Sequence, residues 1–192
     1  MLRILIALAC LATAASAGET RKPNLIFYPV KGTTAKAIKD DMYQNGPKIR
    51  GDNKLSFTIP AIKINKRTVK SAEKCRYKSY GISSVYSFVL PQLVNKKAVQ
   101  RQTLAKWNGF ASYLLDHEDK HRQIWLNCLS EFEKQAKTMS ASDCETLDKD
   151  TSSAFENKKL ACLAEDQRLD FYHAKEALKT PFLREALETA RK

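Results

Sequence analysis

Leu114-Leu115-Asp116-His117-Glu118-Asp119-Lys120-His121 reads H-E-x-x-H. Around it, Trp107, Phe110, Ala111, Leu114, Glu118, His121, Trp125, Cys128 and Phe132 recur in steps of three or four. That period predicts one long helix of about seven turns whose inward stripe contains the motif. Histidines four apart project from one helical face and can grip one metal ion. Glu118 lies between them, placed to take a proton from a metal-bound water. A solvated helix would use these charges in pairs with Lys120 and Arg122 and turn them away from the tryptophans. Here Glu118 and His121 continue the tryptophan line.

A catalytic zinc takes three protein ligands and leaves a position for water. The chain has three histidines, so His173 is the candidate third ligand beside His117 and His121. Acidic third ligands stay open, with Asp170, Glu176 and Glu165 near it in sequence.

Outward from the motif, the pattern changes on both sides. Leu25-Ile26-Phe27-Tyr28-Pro29-Val30 reads as a strand, Gly32-Thr33-Thr34 as a turn with a capping threonine, and 35–44 as a short helix stopped by Asn45-Gly46-Pro47. From Lys54 to Val69 partial alternation predicts one or two half-buried strands broken near Pro60. Lys74 to Leu90 reads as a second sheet region with a turn allowed at Gly81 and an end at Leu90-Pro91. Beyond the motif helix, Met139 to Asp143 reads as a linker. Ser142 or Asp143 can cap a second long helix reaching about Leu178, with Leu147, Phe155, Leu160, Leu163, Leu169 and Tyr172 as its apolar positions. Lys179-Thr180-Pro181 breaks it before a short closing helix. The expected fold is α+β: a small antiparallel or mixed sheet with one helix, then two long antiparallel helices carrying the metal site, in a single domain over residues 18–192.

Met1-Leu2-Arg3, the apolar run from Ile4 to Ala14, and Ala15-Ser16-Ala17 read as an export signal over residues 1–17. The expected location is secreted or periplasmic, with no transmembrane helix after the signal. With Arg3 removed from 33 basic residues, 32 face 21 acids, a net charge of +11. The basic residues are dispersed and lack an interleaved aromatic platform, so no nucleic-acid partner is expected. Such a charge either keeps the protein soluble or meets an anionic envelope surface.

Without Cys10, four cysteines remain: Cys75, Cys128, Cys144 and Cys162. An even number in an exported chain implies two disulfides with three connectivities open. Cys128 follows His117 by eleven residues, and His173 follows Cys162 by eleven. Eleven residues make almost three whole helical turns, so each histidine shares a face with its cysteine. If the long helices pack antiparallel with Cys128 bonded to Cys162, His117 and His173 reach one level, roughly 16 Å from the disulfide. Cys75 then pairs with Cys144.

These residues resemble a bacterial family of predicted secreted zinc-dependent proteases. The likeness rests on Tyr28-Pro29-Val30-Lys31-Gly32-Thr33-Thr34, Asn45-Gly46-Pro47, Cys75, Leu90-Pro91, Trp107, His117-Glu118-x-x-His121 and Asp143-Cys144. The resemblance implies a zincin-like fold, His117 and His121 on zinc, and Glu118 as the catalyst. The family pattern closes on an aspartate five residues before a His-Gly pair. This chain instead has Asp170 three residues before His173, and Ala174 follows the histidine.

The expected activity is therefore hydrolysis of a protein or peptide substrate by a Zn²⁺-activated water with Glu118 as general base. Tyr113, Tyr172 or Arg122 could donate to the oxyanion, and Asp116 or Asp170 could orient an imidazole. The competing class is a non-catalytic, disulfide-stapled envelope protein with a structural or decayed metal site that binds anionic wall or membrane polymers.

Overall fold

The computed structural model describes residues 22–49 and 51–189; residues 1–17, read as the export signal, lie outside that range. The chain opens with strand β1 (Asn24–Val30). Thr34 then accepts a hydrogen bond from Ala37 N and starts helix α1 (Ala35–Asn45), which buries Ala35, Ile38 and Met42. A two-stranded ribbon, β2 (Lys48–Ile49) with β3 (Asp52–Asn53), leads into β4 (Phe57–Lys70) and β5 (Cys75–Leu93). Helix α2 (Arg101–Thr138) carries the motif. The short strand β6 (Ser140–Ala141) precedes helix α3 (Cys144–Lys179), which Asp143 caps by accepting from Thr146 N. Helix α4 (Pro181–Glu188) has proline in its first turn, where its missing N–H costs nothing.

The sheet is mixed, in the order β1-β5-β4 with β6 also beside β5. β1 runs parallel to β5, and β4 pairs with β5 antiparallel. Long helices follow the sheet, as an α+β fold requires. One core joins α1, α2, α4 and one sheet face through Ile38, Phe88, Phe110, Trp107 and Phe182. A second lies farther along, where Tyr77 and Tyr80 of β5 meet Phe132 of α2 and Leu147 of α3.

Three expectations about the strands are corrected. β4 runs unbroken through Pro60, which pairs opposite Tyr86. β4 is an edge strand, and proline is tolerated where its missing donor is not needed. β5 is continuous through Gly81, with no turn there, because Asn65 of β4 lies opposite it in register. It also continues past Leu90-Pro91 to Leu93, drawn on by its parallel pairing with β1. In α3, Leu160 and Tyr172 are both 66% exposed, although both read as apolar face positions. The side of α3 that meets α2 carries Cys162, Asp166 and Asp170, so chemistry rather than apolar packing sets its inward face.

The four cysteines pair as Cys75–Cys144 and Cys128–Cys162. The first ties the start of β5 to the start of α3, and the second joins α2 to α3. Contacts between these helices step in opposite chain directions, Cys128 to Cys162, His121 to Asp166 and His117 to Asp170, so the helices are antiparallel. Two disulfides suit an oxidising compartment outside the cytoplasm. Among the described residues, no helix is long and apolar enough to cross a membrane.

Candidate functional site

α2 presents His117 and His121 one turn apart, and α3 answers with Asp166 and Asp170, also one turn apart. His117 Nε2 lies 3.1 Å from His121 Nε2. Asp170 Oδ1 lies 3.2 Å from the first and 3.0 Å from the second. Among the described residues, these three side chains form the cluster able to hold a metal ion. Zinc bonds of about 2.0–2.1 Å in a tetrahedron separate neighbouring ligand atoms by about 3.3 Å. The observed triangle is close to one face of that tetrahedron. Two imidazole nitrogens and a carboxylate oxygen are also a donor set that suits zinc.

Asp166 Oδ1 stands 2.7 Å from His121 Nδ1, on the ring edge away from the triangle. This contact fixes His121 with Nδ1 as donor and Nε2 facing Asp170. Burial pushes the His121 pKa down, but the hydrogen bonds to Asp166 and Asp170 outweigh it and raise the value to about 10. For Asp170, burial pushes upward, and the hydrogen bonds from His117 and His121 reverse this, holding it well below the usual carboxylate range.

His173 does reach the site, at the level that the antiparallel packing predicts. Its Nδ1 lies 3.0 Å from His117 Nδ1, on the edge of that ring remote from the triangle. The third corner is therefore Asp170, one turn earlier on α3, and His173 backs His117 from behind. Burial lowers the His173 pKa, and Lys120 and the other two histidines lower it further, which favours a neutral ring able to accept from His117 Nδ1–H.

Glu118 has no exposed surface. Ser56 Oγ donates to its Oε1 at 2.5 Å, and Thr58 Oγ1 donates to its Oε2 at 2.8 Å. Thr58 belongs to the start of β4 and Ser56 immediately precedes that strand, so the entry into the edge strand holds the carboxylate against α2. Desolvation raises the Glu118 pKa, opposed by the two hydroxyls and the two motif histidines.

The triangle lines a cleft of about 510 Å³, with Glu118 buried in its wall. Tyr43, Ile49, Leu55, Phe57 and Phe171 give it apolar walls, and Lys54 stands at the site with its Nζ 3.8 Å from Asp170 Oδ2. Of the oxyanion-donor candidates, Tyr113 lines the cleft but donates to the His173 carbonyl at 2.9 Å. Arg122 is turned to Asp119, and Tyr172 faces outward. The orienting carboxylate is Asp166, not Asp116.

Residues 25–175 match a bacterial protein family of unknown function, DUF922. The chain belongs to this family. The DUF922 match spans β1 to the last turns of α3 and takes in every residue of the site. No curated protein and no solved structure matches the chain.

Asp166, Ser56 and Thr58 were missed in the sequence. Asp166 and Asp170 repeat on α3 the spacing of four that His117 and His121 have on α2, and that echo was a legible signal. Ser56 just precedes β4 and Thr58 lies at its start, but nothing in sequence sets them opposite Glu118.

Proposed function

We propose that this chain is a zinc-dependent hydrolase of peptide bonds, placed in the periplasm or outside the cell. The observation that carries this reading is the triangle of His117 Nε2, His121 Nε2 and Asp170 Oδ1, standing in a cleft beside a buried glutamate. A zinc ion held there supplies a water molecule acidic near neutral pH and positive charge opposite a developing oxyanion. The protein residues do the rest. Asp166 fixes the His121 tautomer, and His173 supports His117 from its Nδ1 side. Glu118 accepts a proton at its carboxylate and returns it to the leaving amine. Ser56 and Thr58 hold that carboxylate in one orientation. The apolar cleft walls bind side chains of an extended peptide and exclude water.

One observation favours a second reading. Glu118 is sealed from solvent with a hydroxyl on each oxygen, an arrangement that also suits a structural carboxylate beside a non-catalytic metal. The chain would then be a disulfide-stapled envelope protein. A peptide library incubated with the oxidised, zinc-loaded chain, beside Glu118→Gln, separates the two. The hydrolase reading expects about one zinc per chain in both proteins and cleavage only by the wild type. Zinc in both proteins and cleavage by neither leaves the second reading. A chain that takes up no zinc overturns both.

A further inference from the structure

Strands β4 and β5 contain no acidic residue, yet they carry Lys63, Lys66, Arg67, Lys70, Arg76 and Lys78. Alternation sorts their side chains. Thr58, Tyr86 and Phe88 point to the α2 side, where Thr58 meets Glu118 and Phe88 joins the core. The opposite face is built in cross-strand rows: Ile59 with Ser87, Ala61 with Val85, Lys63 with Ser83, Asn65 with Gly81, Arg67 with Ser79, and Val69 with Arg76. Lys78 is the extra residue where the register shifts after Arg67, and it too is exposed. Among the described residues, this face is open from Ile59 and Val85 onward: Ala61, Lys63, Asn65 and Ser83 are exposed, and a Cβ built on Gly81 would meet nothing within 4 Å.

The face has two halves. One is apolar, with Ile26 of β1 47%, Ile59 44% and Val85 37% exposed. The other is cationic, with Lys63, Arg67, Arg76 and Lys78. Among the described residues, the ion pair made by these two strands is Lys66 to Asp148, on the helix side. From Ile59 to Val69 the face runs roughly 33 Å at about 3.3 Å per residue.

We propose that this face docks on an anionic phospholipid surface. Its cations meet the phosphates, while Ile26, Ile59 and Val85 reach the boundary between headgroups and acyl chains. A soluble polyanion would use the cationic half and leave the apolar half in water. A second copy of the chain would set like charges against each other. A lipid surface uses both halves. The inference does not depend on the reading of the cleft.

The test is sedimentation with vesicles, using the oxidised chain from Gly18, freed of the apolar export signal that would bind lipid by itself. Vesicles of phosphatidylcholine alone are compared with vesicles in which a third of the lipid is phosphatidylglycerol. Binding is expected to the anionic vesicles and not to the neutral ones. A basic residue near such a surface is worth about fivefold in partitioning, so Lys63→Gln with Arg67→Gln should weaken binding about 25-fold. Ile59→Ser with Val85→Ser should remove the part of the binding that survives high salt. Lys179→Gln, at the far end of α3, should leave binding within about fivefold, the worth of one cation. Thermal melting checks that each variant is folded. The proposal is overturned if Lys179→Gln weakens binding as much as the face variants. It also falls if soluble polyphosphate binds while vesicles do not, or if Ile59→Ser dissolves a dimer of a chain that ignores vesicles.

Discussion

Zinc affinity should fall much further in Asp170→Ala than in His173→Ala. Asp170 Oδ1 closes the triangle at 3.0 Å and 3.2 Å from the two histidine nitrogens, near the ligand spacing of a zinc tetrahedron. His173 instead touches the back of His117 at 3.0 Å. Structural zinc sites bind with about 10–16 kcal/mol, which shared over four ligands is about 2.5–4 kcal/mol each. Removing Asp170 should therefore cost about 10²–10³-fold in affinity. Losing a residue that only orients a ligand costs about 10–100-fold, which sets the ceiling for His173→Ala. Both affinities can be read by competition with a chromophoric chelator at one pH, with near-ultraviolet circular dichroism confirming native packing. If His173→Ala loses more zinc than Asp170→Ala, the assignment is reversed: His173 is the ligand and Asp170 its support, as a three-histidine site would have it.

Thr58→Val keeps the side-chain shape but removes a hydroxyl donor from a buried carboxylate, and should cost about 1–3 kcal/mol in urea unfolding. That cost should shrink as pH falls and Glu118 takes up a proton; a pH-independent loss would mean that Glu118 is not the group affected. In the metal-free chain the folded His121 pKa of about 10 lies above its ordinary 6.5. The resulting stability is complete below 6.5 and is lost as pH rises toward 10, on the order of a few kcal/mol. Melts in chelator should show that decline, and a flat profile from 6.5 to 10 contradicts the Asp166 and Asp170 contacts. Cys128→Ser with Cys162→Ser opens a loop of 34 residues' separation, and should lower stability by about 4 kcal/mol on chain entropy and weaken zinc binding. Unchanged zinc affinity would show that the helices stay aligned without the bond.

The architecture was most legible where one physical constraint acted alone. The stripe from Trp107 to Phe132 could be read because a helix with one wet side must repeat near 3.6 residues, and α2 is that helix. Once Cys128 is taken as bonded to Cys162, the equal offsets of eleven give the level at which His173 stands, because rise per residue is fixed in both helices. They did not reveal which residue on that level faces inward. Asp170 and His173 are three apart on α3, and small rotations of the helix exchange them. Pro60 and Gly81 read as breaks because local preference was all the sequence offered there. Pairing over fourteen residues of β4 overrode it. Ser56 and Thr58 stayed hidden because they meet Glu118 across sixty residues of chain.

Matching ladders carry a hidden cost. His117 and His121 face Asp170 and Asp166 with the same spacing of four, so sliding α3 by one turn, about 5.4 Å, would set Asp166 against His117 and keep one rung of two. Packing alone distinguishes such neighbouring alignments weakly on α3, whose buried apolar side chains are few. The bond from Cys128 to Cys162, with its Cα atoms 6.0 Å apart, cannot stretch over that slide. Its service to the molecule is thus one of arithmetic: it makes the count from cysteine to histidine the same on every chain, so every molecule that folds puts the same carboxylate in the triangle.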